Sequence, residues 1–342
     1  MRIVPRPRGD RYNVVQFRKS TQALSVEQWE TFYRGGLVAT CPTSADGGYD
    51  LEVRDAWVAF FSTLADGARI LDVGTGNGAV AMIAAETAME TGRHWEIHGT
   101  DLAQINPMRD VPDAARRLAG ITFHPGVPTE RLPFEAESFD AVSGQYALEY
   151  TDTAAAFAEI HRVMKPGGNA QFIVHHADSM LVKSAQLSLE DGELVLGQTK
   201  IFRRLHKLVT MENAVPGTIE RVTAELRDAI HALKAALQTR QQLMGPGAGH
   251  TLNVSLDAVQ KLLSARNVMR PDAVGLDVDK VEGNVRASMR RLNDLMDYAR
   301  SEQDMQGIEK AAAEAGFVHI ERLPQYHGGA NLVGWQLLLH RA

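Results

Sequence analysis

The 342-residue chain has little of several things that mark a protein's class at once. Its one cysteine, Cys41, excludes an internal disulfide and a multi-cysteine zinc site. No HExxH or comparable ligand spacing occurs, so no metal is expected. No apolar run approaches the roughly 18 residues of a membrane helix. The cationic start MRIVPRPRGDRYN lacks the apolar stretch of a secretory signal. A cytoplasmic location with no membrane partner is therefore expected. Basic charge is short too: 36 Lys and Arg against 42 Asp and Glu leave a formal charge of −6, which argues against nucleic acid as a partner. The local basic stretches Ile201–Lys207 and Ala287–Arg291 read as solvated helix faces. Internal repeats and low-complexity segments are missing as well.

What is present suits an ordinary globular protein, 44% apolar and 23% charged, long enough for one large domain or two. The most informative stretch is Ala68–Ala79, ARILDVGTGNGA. Ile70–Val73 suits a buried strand, and AVAMIAAETAME suits a helix. Gly74, Gly76 and Gly78 fall in the turn between them, where the missing β-carbon allows a tight path and close approach of a ligand. Gly74-x-Gly76-x-x-Ala79 also fits the looser dinucleotide fingerprint. Asp72, just before the first glycine, favours a cationic or amino-bearing ligand over a pyrophosphate. Asp101 follows the second strand-like stretch, Trp95–Gly99, where a carboxylate can grip a ribose diol.

Further along come RLPFEAESFDAVSGQYALEY (Arg131–Tyr150) and HRVMKPGGNAQFIV (His161–Val174). Together with the glycine turn and Asp101, this ordered set resembles class I S-adenosylmethionine-dependent methyltransferases, in the branch carrying LPF, FD and KPGG. The resemblance covers about residues 68–175. It implies an α/β fold: a Rossmann-like, seven-stranded, doubly wound sheet whose last strand is antiparallel. Strands are expected near 69–73, 95–100, 120–124, 139–143, 170–175, 317–323 and 334–340. A helix is expected over Tyr49–Ala65 and another over Met305–Ala315, closed by Gly316.

The chain departs from a minimal family member between the fifth strand and the last helix, and an N-terminal segment precedes the core. Residues 1–50 are rich in aromatics (Tyr12, Phe17, Trp29, Phe32, Tyr33, Tyr49), and Ser25–Gly36 suits a short serine-capped helix. Residues 1–50 are assigned as an N-terminal helical cap, 51–178 with 301–342 as the core, and 179–300 as a helical insertion. Within the insertion Ile219, Val222, Leu226, Ile230, Leu233 and Leu237 form one stripe on a helix over Thr218–Met244. A second helix is expected over Leu256–Ala265 with Ser255 as N-cap, and a third over Asp279–Arg300. These stripes need partners, in the same chain or in a second subunit, so the insertion is a substrate lid, a homodimer interface, or both.

The resemblance implies S-adenosylmethionine as cofactor and S-adenosylhomocysteine as product. Asp72, Gly74, Gly76 and Gly78 would hold the amino-acid end and sulfonium, Asp101 the ribose, and Leu102 the adenine face. Many relatives place an aspartate on the adenine edge; here that position is Pro128, which has neither a carboxylate nor an N–H. Thr129 N–H then remains for the ring. Gln145, after the fourth strand, is the further cofactor contact. Lys165-Pro166-Gly167-Gly168 reads as a turn feeding the fifth strand. His176, His175 and Tyr150 are the catalytic candidates, with His176 preferred; Glu149, past the fourth strand, and His327, in the glycine-rich C-terminal loop, are further ones. The expected partner is a small-molecule acceptor methylated on O, N or C. Docking of a protein or RNA group by the insertion is the alternative enzyme reading. A non-catalytic S-adenosylmethionine-binding regulator is the alternative outside enzymes.

Overall fold

Strand β1 (Arg69–Val73) is buried along nearly its whole length, as a central parallel strand covered on both faces must be. The computed structural model describes residues 26–41, 47–211 and 217–342. Beside β1 lie β2 (Glu96–Asp101), β3 (Ile121–Pro125), β4 (Phe139–Gln145), β5 (Met164–Val174), β6 (Phe317–His327) and β7 (Asn331–Arg341). They form one seven-stranded sheet in the order β3-β2-β1-β4-β5-β7-β6. The pairs from β3 through β5 are parallel, and β7 runs antiparallel to both β5 and β6. This is the doubly wound sheet that the motifs imply. Its strand order reverses between β1 and β4, so their carboxyl ends frame the crevice where such sheets bind ligands.

Helices α1 (Glu27–Tyr33) and α2 (Leu51–Ser62) precede the sheet, and α3 (Ala79–Thr91) follows the glycine turn. Single helical turns α4 (Pro107–Asp110) and α5 (Ala114–Arg117) lead to β3, and α6 (Thr153–Val163) joins β4 to β5. Trp57 and Phe61 of α2 pack with Ile70, Ile83 and Ile97 on one face of the sheet. Phe157 and Ile160 of α6 pack with Phe139, Phe172 and Met305 on the other. The Lys165–Gly168 tetrapeptide lies inside β5, not before it. The pairing jumps from Phe139↔Met164 to Ala141↔Asn169, so these residues bulge out of the ladder, with Gly167 at φ +80°.

The insertion comprises α7 (Met180–Glu193), a wider π-type turn (Leu194–Gln198), α8 (Ile201–Val209), α9 (Thr218–Met244), α10 (His250–Ala265) and α11 (Pro271–Tyr298). Helix α12 (Glu302–Glu314) then returns the chain to the sheet. Val222, Leu226 and Leu233 of α9 pack with Leu205, Leu252 and Val278 in a third core of the insertion's own, so these stripes leave water within one chain.

Several boundaries differ from the sequence expectation. Helix α10 starts at His250, after Gly249, and Ser255 is fully buried inside it. Helix α11 begins eight residues before Asp279, with Pro271 in its first turn, where a missing N–H does no harm. The basic stretch 201–207 is not merely a solvated face, because Ile201, Phe202 and Leu205 are buried. Ser25 and Pro216 lie outside the described residues, as do Tyr12 and Phe17.

Candidate functional site

The glycine turn is shaped by what presses on it. A β-carbon on Gly74 would fall 2.2 Å from the Ala147 β-carbon, and one on Gly76 would fall 2.6 Å from the Tyr33 ring. All three glycines have positive φ, a region that costs little only without a side chain. Gly78 abuts Phe123, 2.9 Å from where its β-carbon would be, and lines neither cavity described below. Its place is the packing of α3 on the sheet.

The turn's amides are committed internally. Thr75 N–H donates to Thr100 O (2.9 Å) and Gly78 N–H to Thr75 O (2.8 Å). Gly76 N–H donates to Asp101 Oδ2 (2.8 Å), and Ala103 N–H donates to Asp101 Oδ1 (2.8 Å). Asp101 thus ties the turn to the end of β2 while keeping lone pairs for a further donor. Burial lifts its carboxyl to about 6. Asp72, 1% exposed, accepts from Thr75 Oγ1 (2.6 Å) and Ser143 Oγ (2.8 Å). Burial pushes it up to about 7, against the pull of those two hydroxyls.

Two cavities meet at this turn. The first, about 620 Å³ and open to solvent, is walled by Trp29, Tyr33, Asp101, Thr129, Tyr146 and Tyr150, among others. Gly74, Leu102 and Pro128 also line it. The second, about 360 Å³, is walled by Tyr49, Asp72, Thr75, Gly76 and Gln145, among others. Tyr33, Gly74 and Tyr146 border both. Tyr146 sits at φ +55°, a conformation that a bulky residue holds only when its surroundings enforce it.

The cap walls the first cavity, and the insertion packs against those walls. Asn77 Nδ2 donates to Tyr33 O (2.9 Å) and Leu37 O (2.8 Å), anchoring the cap to the turn. Gln28 donates to Asp294 of α11 (2.8 Å), and the Arg291 guanidinium lies 4.4 Å over the Phe32 ring. Tyr150 packs against Tyr298 at 4.9 Å and edge-on against Trp29 at 5.7 Å.

The catalytic candidates separate. Tyr150 lines the first cavity, and neither histidine lines either one. His175 lies behind Tyr146, rings parallel at 4.0 Å, and burial depresses its imidazole to about 3. His176, the preferred histidine, stacks on Trp335 at 4.1 Å and accepts the Asp178 N–H at Nδ1 (2.9 Å). Successive residues leaving a strand face opposite ways, and His176 takes the side away from the cavities. His327 sits near Asp50 and Glu52, 3.6 and 3.8 Å away, also remote from them. Glu149 is fully buried; its Oε1 accepts the His175 N–H (2.7 Å), and burial raises it to about 7. Trp57 and Tyr298 carry weight that sequence reasoning missed, and neither had a local signal.

Residues 70–168 match the family described as "Methyltransferase domain". The chain carries a class I S-adenosylmethionine-dependent methyltransferase domain. It is 36% identical over 106 residues to the demethylmenaquinone methyltransferase of Chlorobaculum parvum, covering 31% of this chain and 40% of that protein. A ubiquinone/menaquinone biosynthesis C-methyltransferase of Xanthomonas oryzae pv. oryzae is 30% identical over 148 residues, covering 40% of this chain and 58% of that one. The match thus spans less than two thirds of these curated relatives. Among solved structures, a methyltransferase of Mesorhizobium loti is 28% identical, covers 36% of this chain and 56% of its own, and has a TM-score of 0.29.

S-Adenosylmethionine, the cofactor of this class, brings a methyl group already activated on a sulfonium. The residues of the methyltransferase domain fit it. A buried acid and an unpartnered amide donor, Gln145 Nε2, share the second cavity. The Asp101 carboxylate stands at the first cavity beside exposed Leu102 and the Thr129 backbone.

Proposed function

We propose that the protein transfers a methyl group from S-adenosylmethionine to an O, N or C nucleophile of a small-molecule acceptor. The observation that carries this is the pair of cavities meeting at Tyr33, Gly74 and Tyr146. The motif residues divide between them by chemistry. Asp72, Gly76 and Gln145 serve the zwitterionic amino-acid end, with Gly74 at the junction. Asp101 serves the ribose, and Leu102 and Thr129 the adenine. Trp29 and Tyr150 extend the first cavity into an aromatic chamber beside α1, where the acceptor sits. A chamber walled by aromatic rings suits a molecule of metabolic size, and the insertion packed behind those walls acts as its lid.

With an activated donor the protein's task is to align the nucleophile and exclude water. Tyr150 touches the acceptor in this reading. His175 stays neutral at physiological pH and supports Tyr146 from behind. Relatives named for methylating demethylmenaquinone and for ubiquinone/menaquinone biosynthesis make phenolic and quinol compounds the first acceptors to assay. With a labelled methyl donor, transfer to such a compound is expected. Tyr150→Phe should lower kcat/KM about tenfold, the loss of one hydrogen bond, with the affinity for S-adenosylhomocysteine unchanged. Binding of the donor with no transfer to any tested acceptor would favour the regulator instead.

A further inference from the structure

Gln145 ends β4 and lines the second cavity, and one partner fixes which way its amide faces. The Trp57 indole N–H donates to Gln145 Oε1 at 2.5 Å. An indole nitrogen is donor-only, so it must meet the amide oxygen. Trp57 is itself fully buried and stacked on Phe61 at 5.9 Å. The Gln145 side chain, 8% exposed, therefore holds its NH₂ end away from the indole, and Nε2 has no hydrogen-bond partner. The Tyr146 hydroxyl lies beside that amide, which draws its titration down against the lift from burial, and it donates to Val333 O (3.3 Å).

A buried amide donor of this kind calls for an acceptor. The cavity's described lining includes no Lys or Arg, and the Thr75, Gly76 and Gly78 amides are already bonded within the protein. Asp72 offers acceptor lone pairs only, which suits an ammonium. Besides the hydroxyls of Tyr33, Thr40 and Tyr49, the cavity offers a carboxylate the unpartnered Gln145 NH₂.

We propose that Gln145 Nε2–H donates to the α-carboxylate of the cofactor's amino-acid end, and that Trp57 is the positioning residue that fixes this orientation. The inference rests on the proposed function, which puts the methionine part of the cofactor in this cavity.

Two probes separate the inference from that reading: S-adenosylhomocysteine, and 5′-methylthioadenosine, which has the same nucleoside and sulfur without the amino-acid end. Titration calorimetry should show Gln145→Leu and Trp57→Phe each weakening S-adenosylhomocysteine about tenfold or more, as loss of a hydrogen bond to a charged group does. Binding of 5′-methylthioadenosine should stay within about twofold. In the Gln145→Leu background, Trp57→Phe should cost nothing further, because the indole then orients no amide. Gln145→Glu, which sets a carboxylate against a carboxylate, should weaken S-adenosylhomocysteine more than the leucine variant does. Equal weakening of both probes, or additive losses in the double variant, would overturn the inference. Failure of the wild-type protein to bind S-adenosylhomocysteine would instead remove the proposed function.

Discussion

Asp72, Asp101 and Glu149 are the residues where burial and charge conflict most. Each is enclosed and held above its ordinary carboxyl range, to about 7, 6 and 7. An unfolded chain releases these protons near pH 4. Between about pH 4 and 7 the folded protein therefore binds more protons than the unfolded one, so these groups make stability fall as pH rises. His175, depressed to about 3, works in the opposite sense between about pH 3 and 6.5. Glu149→Gln keeps an acceptor for the His175 N–H and isolates the acid's share. Its stability-versus-pH slope from pH 4.5 to 7 should exceed that of the wild type, by at most about 1.4 kcal/mol per pH unit. Chemical denaturation across that range measures it, and parallel curves would count against a protonated Glu149. At this scale Asp72 and Asp101 were legible because each ends a strand beside a glycine turn. The Gln145–Trp57 bond was not, since it joins residues 88 apart in sequence and pattern along a chain carries no long-range partner.

Among the elements, α9 was legible at both ends, because six apolar residues at helical spacing run between a glycine and the Gly245-Pro246-Gly247 breaker. Helix α10 was legible only in its second half. Ser255 has the chemistry of an N-cap, but burial among α10's neighbours overrides that local preference, and Gly249 opens the helix instead. The stretch from α7 through α8 carries buried residues (Ala185, Leu189, Val195, Ile201) interleaved with charge too densely for one clear stripe. The insertion has a core of its own, which makes a local prediction possible. Leu252→Ala, at a fully buried site in that core, should cost about 2–5 kcal/mol. Hydrogen exchange should accelerate in α9 and α10 while the amides of β1 and β4 keep their protection. Equal acceleration in both regions would mean that sheet and insertion unfold as one unit.

Across the whole molecule, the seven-stranded sheet and its antiparallel closing pair were legible through the family resemblance that the ordered motifs carry. What motif order could not show is that the cap and the insertion meet. Gln28, Phe32 and Trp29 come from before the sheet, and Arg291, Asp294 and Tyr298 from just before its last helix. Their contacts back the cap and Tyr150, whose rings wall the first cavity. None of the described helices is long and apolar enough to cross a membrane. In the proposed function the cofactor's residues sit at the ends of β1, β2 and β4, and the acceptor's walls on α1 and the turn after β4.

The central claim is that the turn between β1 and α3, braced by Asp101, holds the adenosyl donor. Calorimetric titration with S-adenosylhomocysteine tests it most directly, using wild-type protein and Asp101→Ala. One site per chain is expected for the wild type, with affinity lowered about tenfold or more in the variant, which loses both the ribose acceptor and the Gly76 N–H partner. No binding by the wild type, or binding of a nicotinamide dinucleotide in its place, would contradict the account.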